Sequence, residues 1–326
     1  MAAPIVTISY NELVSFDSDD PDDNLVLKVG ESFGSNLNCL GILAVTDIPN
    51  FSSQRQALLP LASKLPALPD LDAVIRSETL FSTGWSHGKE CLVPGRPDVA
   101  KGSFYGNPRT DSFLKDLTAR DGRAELWNKL AIQHPEFYAD NVWPESLPIL
   151  REAFKNMGQT LLHVGVLVAA VCDVYCHRHG VETHFRDTLL RSLNCTGRLL
   201  HYFDMSENNS KEKDAMWCGW HNDHGLLTGL VPGMYIDTTT GQPVACTDNS
   251  AGLYIQTRAG SVVKVTLPSN ACGFQIGETS QIQSGGILQA TPHAVRPSSQ
   301  SSITRESFAV FLEPEFHEPL AIPSGK

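Results

Sequence analysis

Apolar residues change their spacing along this chain near residue 195, and the predicted elements change with it. Before that point, "GILAVTDI" (41 to 48) is a short apolar run closed by glycine and proline, as a buried strand would be. "FSSQRQALLPLASKL" follows with helical spacing. Residues 84 to 108, "GWSHGKECLVPGRPDVAKGSFYGNP", read as irregular, and a stretch so dense in glycine, proline and aromatics lines a pocket as readily as it connects elements. The longest predicted helix covers 146 to 180, with Ser146 as N-cap, Pro148 in the first turn and Gly180 as the stop. Its apolar centre predicts packing against a sheet. After 195 come short runs cut by turn residues: "RLLHYF", "LLTGLV", "GLYIQT", "SVVKVTL", "GFQIGE", "SQIQSGG", "ILQATPHAV" and "ESFAVFLEP". Many short strands with frequent turns predict a β-sandwich or jelly roll, with "SENNSKEKDA" (206 to 215) and "TTTGQPVACTDNSA" (238 to 251) as exposed insertions.

Composition narrows the function. A chain of 326 residues buries a core large enough for an enzyme. Its 25 basic and 36 acidic residues give a net charge of −11, and no basic block is present to neutralise a run of phosphates, so neither nucleic acid nor an anionic membrane is an expected partner. The start, "MAAPIVTISY", lacks the pattern of a secretory signal, and the apolar run "LLHVGVLVAAV" is too short to span a bilayer. The eight cysteines form no CxxC pair and read as reduced thiols. A soluble, cytoplasmic, monomeric protein is the expectation.

Candidate chemistry centres on "WCGWHNDHGLLTGL" (217 to 230). On a strand, His221 and Asp223 point to the same side, so both reach one cation. "ATPHAV" supplies His293 as a third donor, brought back by the jelly-roll path. Two histidines and one carboxylate on one side of a metal leave the opposite positions open, as in mononuclear non-haem Fe(II) oxygenases. With eleven histidines in the chain, such a triplet also arises by chance. "TRESFAVFLEP" adds an independent observation: Arg305 and Ser307 alternate on one strand and face the same way, and a guanidinium turned inward calls for a carboxylate, an organic acid.

These segments, in this order, resemble the isopenicillin N synthase-like branch of the Fe(II)/2-oxoglutarate-dependent dioxygenases. The resemblance extends to "GILAVTDIP", "GWSHGKE", "KGSFYGNP" and "NVWPESLPILREAF", and so covers most of the chain. It implies an α+β fold, a double-stranded β-helix (jelly roll) core flanked by N-terminal helices. The helical region would be 1 to 194 and the jelly-roll domain 195 to 326. It implies His221, Asp223 and His293 as iron ligands, and Arg305, Ser307 and Tyr202 around the distal carboxylate of 2-oxoglutarate. The implied reaction oxidises, most simply hydroxylates, a small organic molecule with dioxygen, releasing succinate and carbon dioxide, with ascorbate as a possible reductant. Phe203 stands where the family usually has proline, Asn222 where it has threonine, and the stretch before His293 is longer. Two alternatives stay open: a 2-oxoglutarate-independent oxidase or cyclase of the same branch, and a non-catalytic jelly-roll binding protein.

The remaining residues of interest are read more plainly. His224 faces away from the ligands, His177, His179 and His184 gather at a helix end, and Cys172 and Cys176 are core thiols. Trp217 packs in the core. The resemblance implies Phe104 and Tyr105 at the substrate pocket, and Trp220, next to His221, is expected in its wall.

Overall fold

The computed structural model describes residues 5–89, 95, 97–205 and 216–323; the predicted insertion 206 to 215 lies outside them. Strands are β1 (Val6–Ser9), β2 (Ile42–Thr46), β3 (Gly84–His87), β4 (Lys101–Gly106), β5 (Cys195–Tyr202), β6 (Cys218–His221), β7 (Leu227–Asp237), β8 (Pro243–Val244), β9 (Gly252–Gln256), β10 (Val262–Val265), β11 (Cys272–Ile276), β12 (His293–Arg296) and β13 (Ile303–Leu312). The major sheet runs β1-β2-β11-β7-β13-β5-β4-β3 with β8 paired to β7, and the minor sheet runs β10-β9-β12-β6. Ile42 of the major sheet packs with Ile255 and Val265 of the minor sheet, closing the two into a sandwich. The architecture is the expected α+β jelly roll with helices on its outer face.

Strand alternation sets what faces inward. Along β13, Arg305, Ser307, Ala309 and Phe311 line the space between the sheets, whereas Phe308, Val310 and Leu312 join the core beneath the helices. The helix Ile149–Arg178 covers that outer face, burying Phe154, Leu161, Val164 and Val168. Gly165 allows its close approach, since a Cβ there would collide with a Leu312 methyl and stand 3.2 Å from the Phe274 ring. The helix starts later than predicted: Ser146 does not cap it but binds the Asp70 carboxylate through its backbone N–H and hydroxyl, and Pro148 takes the N-cap position. At 30 residues the helix is long and apolar enough to cross a membrane, unlike the short run at its centre, but its apolar side chains pack on the sheet.

Three local expectations need correction. The stretch 84 to 108 contains β3 and β4, which pair with one another and, through β4, with β5. "SQIQSGG" falls in the helix Glu278–Gln283 and the turn after it; the helix itself buries only Ser280, whose hydroxyl donates to the Leu226 carbonyl. "ILQATPHAV" is strand only from His293, because Pro292 has no N–H to pair. Four strands from before residue 195 extend the major sheet at both edges, β1 and β2 against β11, β3 and β4 against β5.

Candidate metal centre and adjoining cavity

Sheet register assembles the three donors. His293 on β12 lies directly across from His221 on β6, with ring centroids 4.3 Å apart. Asp223 sits in the turn just past the end of β6 rather than on the strand. That turn is held from outside: the backbone N–H groups of Glu278 and Thr279 donate to the carbonyls of Asp223 and His224 at 2.8 and 3.1 Å. The Glu278 carboxylate accepts from Asn222 at 3.0 Å and meets His224 at 2.9 Å. His224 is therefore an exposed turn contact, as expected.

Asp223 Oδ1 lies 3.8 Å from His221 Nε2 and 3.7 Å from His293 Nε2. The Nδ1 atoms point away, to the carbonyls of Gly219 at 2.7 Å and Thr291 at 3.2 Å. Those carbonyls select the tautomer that leaves each Nε2 lone pair free. The second carboxylate oxygen, Oδ2, is buried with no hydrogen-bond partner. A buried orphan oxygen costs about 1–3 kcal/mol, and a cation held between the three side chains would satisfy it. The donor set fits a first-row divalent metal ion. Burial lowers the pKa of His293, favouring the neutral, ligating imidazole. Burial acts the same way on His221, but Cys218, the Gly219 carbonyl and Asp223 outweigh it and raise that pKa to about 9, so a metal binds there by displacing a proton.

The donors open onto a cavity of about 270 Å³ between the sheets, and Arg305, Ser307 and Tyr202 line the same cavity. Arg305 is only 8% exposed. Its partners in register are Tyr202 on β5 and Tyr235 on β7, and its guanidinium stands 5.1 Å from the Tyr202 ring centre and 3.4 Å from the Ser307 hydroxyl. Gly233 leaves room for it: a Cβ there would stand 2.5 Å from Arg305 Nε and 2.7 Å from Cζ. Beside it, Arg55 donates to the carbonyls of Pro232 and Gly233, and burial and the Arg305 charge lower its pKa. Neither arginine ion-pairs with a carboxylate among the described residues, so this end of the cavity is set up for an anion.

The expected substrate residues separate. Phe104 is fully buried on the helix side, its ring 5.6 Å from Trp143 and 6.2 Å from Phe154, and does not reach the cavity. The reason is parity on β4: Lys101, Ser103 and Tyr105 pair with Tyr202, Leu200 and Arg198 on the cavity face, and Phe104 must face the other way. Tyr105 lies beneath the Arg198 guanidinium, 5.1 Å from ring centre to Cζ. Trp220 is 44% exposed and does not line the cavity, while Trp217 is fully buried, donating from its indole to the Phe203 carbonyl at 2.8 Å. Cys172 and Cys176 are buried in the core. Sequence reasoning missed Tyr235, Gly233 and Glu278; the first two lie on a strand whose register with β13 no local pattern reveals.

No protein-family model matches the chain, and no curated protein matches it. Solved structures do. Full-length T7H of Neurospora crassa, in complex with alpha-KG, matches with a TM-score of 0.66 at 18% identity over 98% of this chain and 88% of that one. A protein of Caulobacter crescentus assigned to the 2OG-Fe(II) oxygenase family matches at 0.65 and 18%, over 99% and 90%. The fold is that of the 2OG-Fe(II) oxygenases. The rice dioxygenase for auxin oxidation shares this oxygenase fold at a TM-score of 0.61 and 18% identity, over 98% and 87%.

Proposed function

We propose that this protein is an Fe(II)- and 2-oxoglutarate-dependent dioxygenase acting on a small organic molecule. One observation carries the reading: a two-histidine, one-carboxylate cluster with an orphaned carboxylate oxygen shares a cavity with a buried arginine that has no carboxylate partner among the described residues. His221, Asp223 and His293 would hold the iron, and Arg305 and Ser307 the far carboxylate of 2-oxoglutarate. Bound together, the two would supply oxidative decarboxylation coupled to oxidation of a substrate C–H bond, with succinate and carbon dioxide released and ascorbate as an auxiliary reductant. The chain's own part is orientation. The Gly219 and Thr291 carbonyls fix the imidazoles, the Glu278 backbone N–H fixes the Asp223 turn, and Tyr202 and Tyr235 flank the guanidinium. Burial raises the Tyr202 pKa, keeping its phenol protonated as a donor toward the cavity.

The structural neighbours support the reading, since T7H is seen with alpha-KG and with thymine, a small molecule. The order of the motifs supports placement in the isopenicillin N synthase-like branch. The seven described cysteines, none of them in a disulfide, support a reducing, cytosolic setting, and the charge of −11 supports a protein without nucleic-acid or membrane partners. A monomer remains part of this reading.

The test is anaerobic titration of Fe(II)-loaded protein with 2-oxoglutarate, followed by succinate release in air across a metabolite library. A charge-transfer band and substrate-stimulated succinate are expected, with turnover abolished in His221→Ala and the 2-oxoglutarate requirement raised in Arg305→Ala. Full turnover in His221→Ala would sink the iron assignment. Indifference of Arg305→Ala to 2-oxoglutarate would point to an oxidase.

A further inference from the structure

A second chamber, of about 240 Å³, lies at the end of β13 away from Arg305, lined in part by Ser82, Thr83, Tyr105, Phe137, Thr196 and Glu313. Glu313 follows the last residue of β13, and its side chain makes no hydrogen bond or ion pair among the described residues. It packs beside the Asp223 turn: a Cβ at Gly225, two residues past Asp223, would stand 3.1 Å from Glu313 Cγ. The Tyr105 ring of the chamber wall carries on its face the guanidinium of Arg198, which lines the main cavity. The Ser82 hydroxyl is buried and unpartnered.

Charge in this chamber is one-sided. Its lining holds two carboxylates, Glu136 and Glu313, and no lysine or arginine among the described residues. Glu136 leans toward His134 at 3.5 Å, which leaves Glu313 as the uncompensated group nearest the metal ligands.

The geometry points to this chamber as the substrate subsite and to a substrate bearing a cationic nitrogen, with the Glu313 carboxylate pairing that nitrogen next to the Asp223 turn. The proposal rests on the dioxygenase reading for what happens next but not for binding. Arg305 and Glu313 then divide the ligands by charge: the organic acid goes to one end of β13 and the amine to the other.

The experiment compares phenethylamine with 3-phenylpropionate, two ligands of one frame and opposite charge, by calorimetric titration at pH 8.5 into the full chain loaded anaerobically with Fe(II) and 2-oxoglutarate. The wild type is expected to prefer the amine by at least about tenfold, which corresponds to one buried charge pair. Glu313→Gln should abolish the preference, and Thr196→Lys, placing a cation in the same chamber, should do so independently if the first variant fails to fold. Equal binding of the two ligands, tighter binding of 3-phenylpropionate, no binding of either, or a preference that survives Glu313→Gln would each overturn the proposal. Prior titration with 2-oxoglutarate alone keeps the two readings apart. A protein that binds 2-oxoglutarate but shows no amine preference loses only this inference, and one that prefers the amine but ignores 2-oxoglutarate loses only the dioxygenase reading.

Discussion

Gly233→Ala offers a test of the anion site that leaves every charged group in place. The added methyl would stand 2.5 Å from Arg305 Nε and 2.7 Å from Cζ and Nη2. Ordinary contacts between heavy atoms lie at about 3.5 Å, so the guanidinium must retreat by about 1 Å. Hydrogen bonds to charged groups contribute about 1.5–3 kcal/mol and weaken steeply with misalignment, so losing one raises the 2-oxoglutarate Kd about 10- to 150-fold. Overpacking of this kind also costs about 1–3 kcal/mol of stability, which a thermal melt reads separately. Iron affinity should not change, because two of the donors stand on the minor sheet and the third follows it, while Gly233 belongs to β7 of the major sheet. Anaerobic titration of 2-oxoglutarate into the iron-loaded variant gives the answer. An unchanged Kd in a folded protein refutes the assignment of Arg305 as the carboxylate anchor.

Other outcomes follow from groups already described. Burial, aided by the Asp223 charge and opposed by His224, pushes the Glu313 carboxyl up from 4.5 to about 7. The folded metal-free protein therefore binds more protons than the unfolded chain between those values, and stability falls as pH rises through that window. Glu313→Gln should accordingly raise the melting temperature at pH 8 and leave it nearly unchanged at pH 4.5; equal shifts at both would contradict the pKa. On the helix side of the major sheet, His201 Nδ1 lies 3.0 Å from both Glu306 oxygens, and Thr304 donates to the same carboxylate at 2.8 Å. His201→Leu should cost about 3–5 kcal/mol by urea unfolding, and the double variant with Glu306→Leu much less; similar losses in both would show that the pair is not the source. Gly165→Val should lower the urea midpoint by the equivalent of about 1–3 kcal/mol by forcing the helix off Leu312, and a neutral result would mean the helix docks more loosely than its contacts indicate.

How far the sequence could be read depended on the range of the signal. The donors were legible because His221 and Asp223 are two apart and His293 ends an apolar run, although Asp223 proved to hang from a turn rather than a strand. Arg305 and Ser307 were legible because alternation on one strand is a local property. The same rule, applied to "KGSFYGNP", would have shown that Phe104 and Tyr105 face opposite sides and that one of them had to leave the pocket. Tyr235 and Gly233 could not be found this way, since their closeness to Arg305 depends on the β7–β13 register, including the irregularity between Glu306 and Phe308. Nor could the pairing of β2 with β11, more than two hundred residues later, be read from either strand alone. The short helix at Glu278 was hidden by its polar sequence, which carries no clear period.

The packing of Ile42 against Ile255 and Val265 also works as a spacer. It is a joint between the histidine strands and the sheet carrying Arg305, and in the proposed function a co-substrate gripped at both ends must match that separation. Trimming Ile255 by one methylene would thus act as a change of gauge: ligands one carbon shorter or longer than 2-oxoglutarate should move in relative affinity, although no residue touching them has changed.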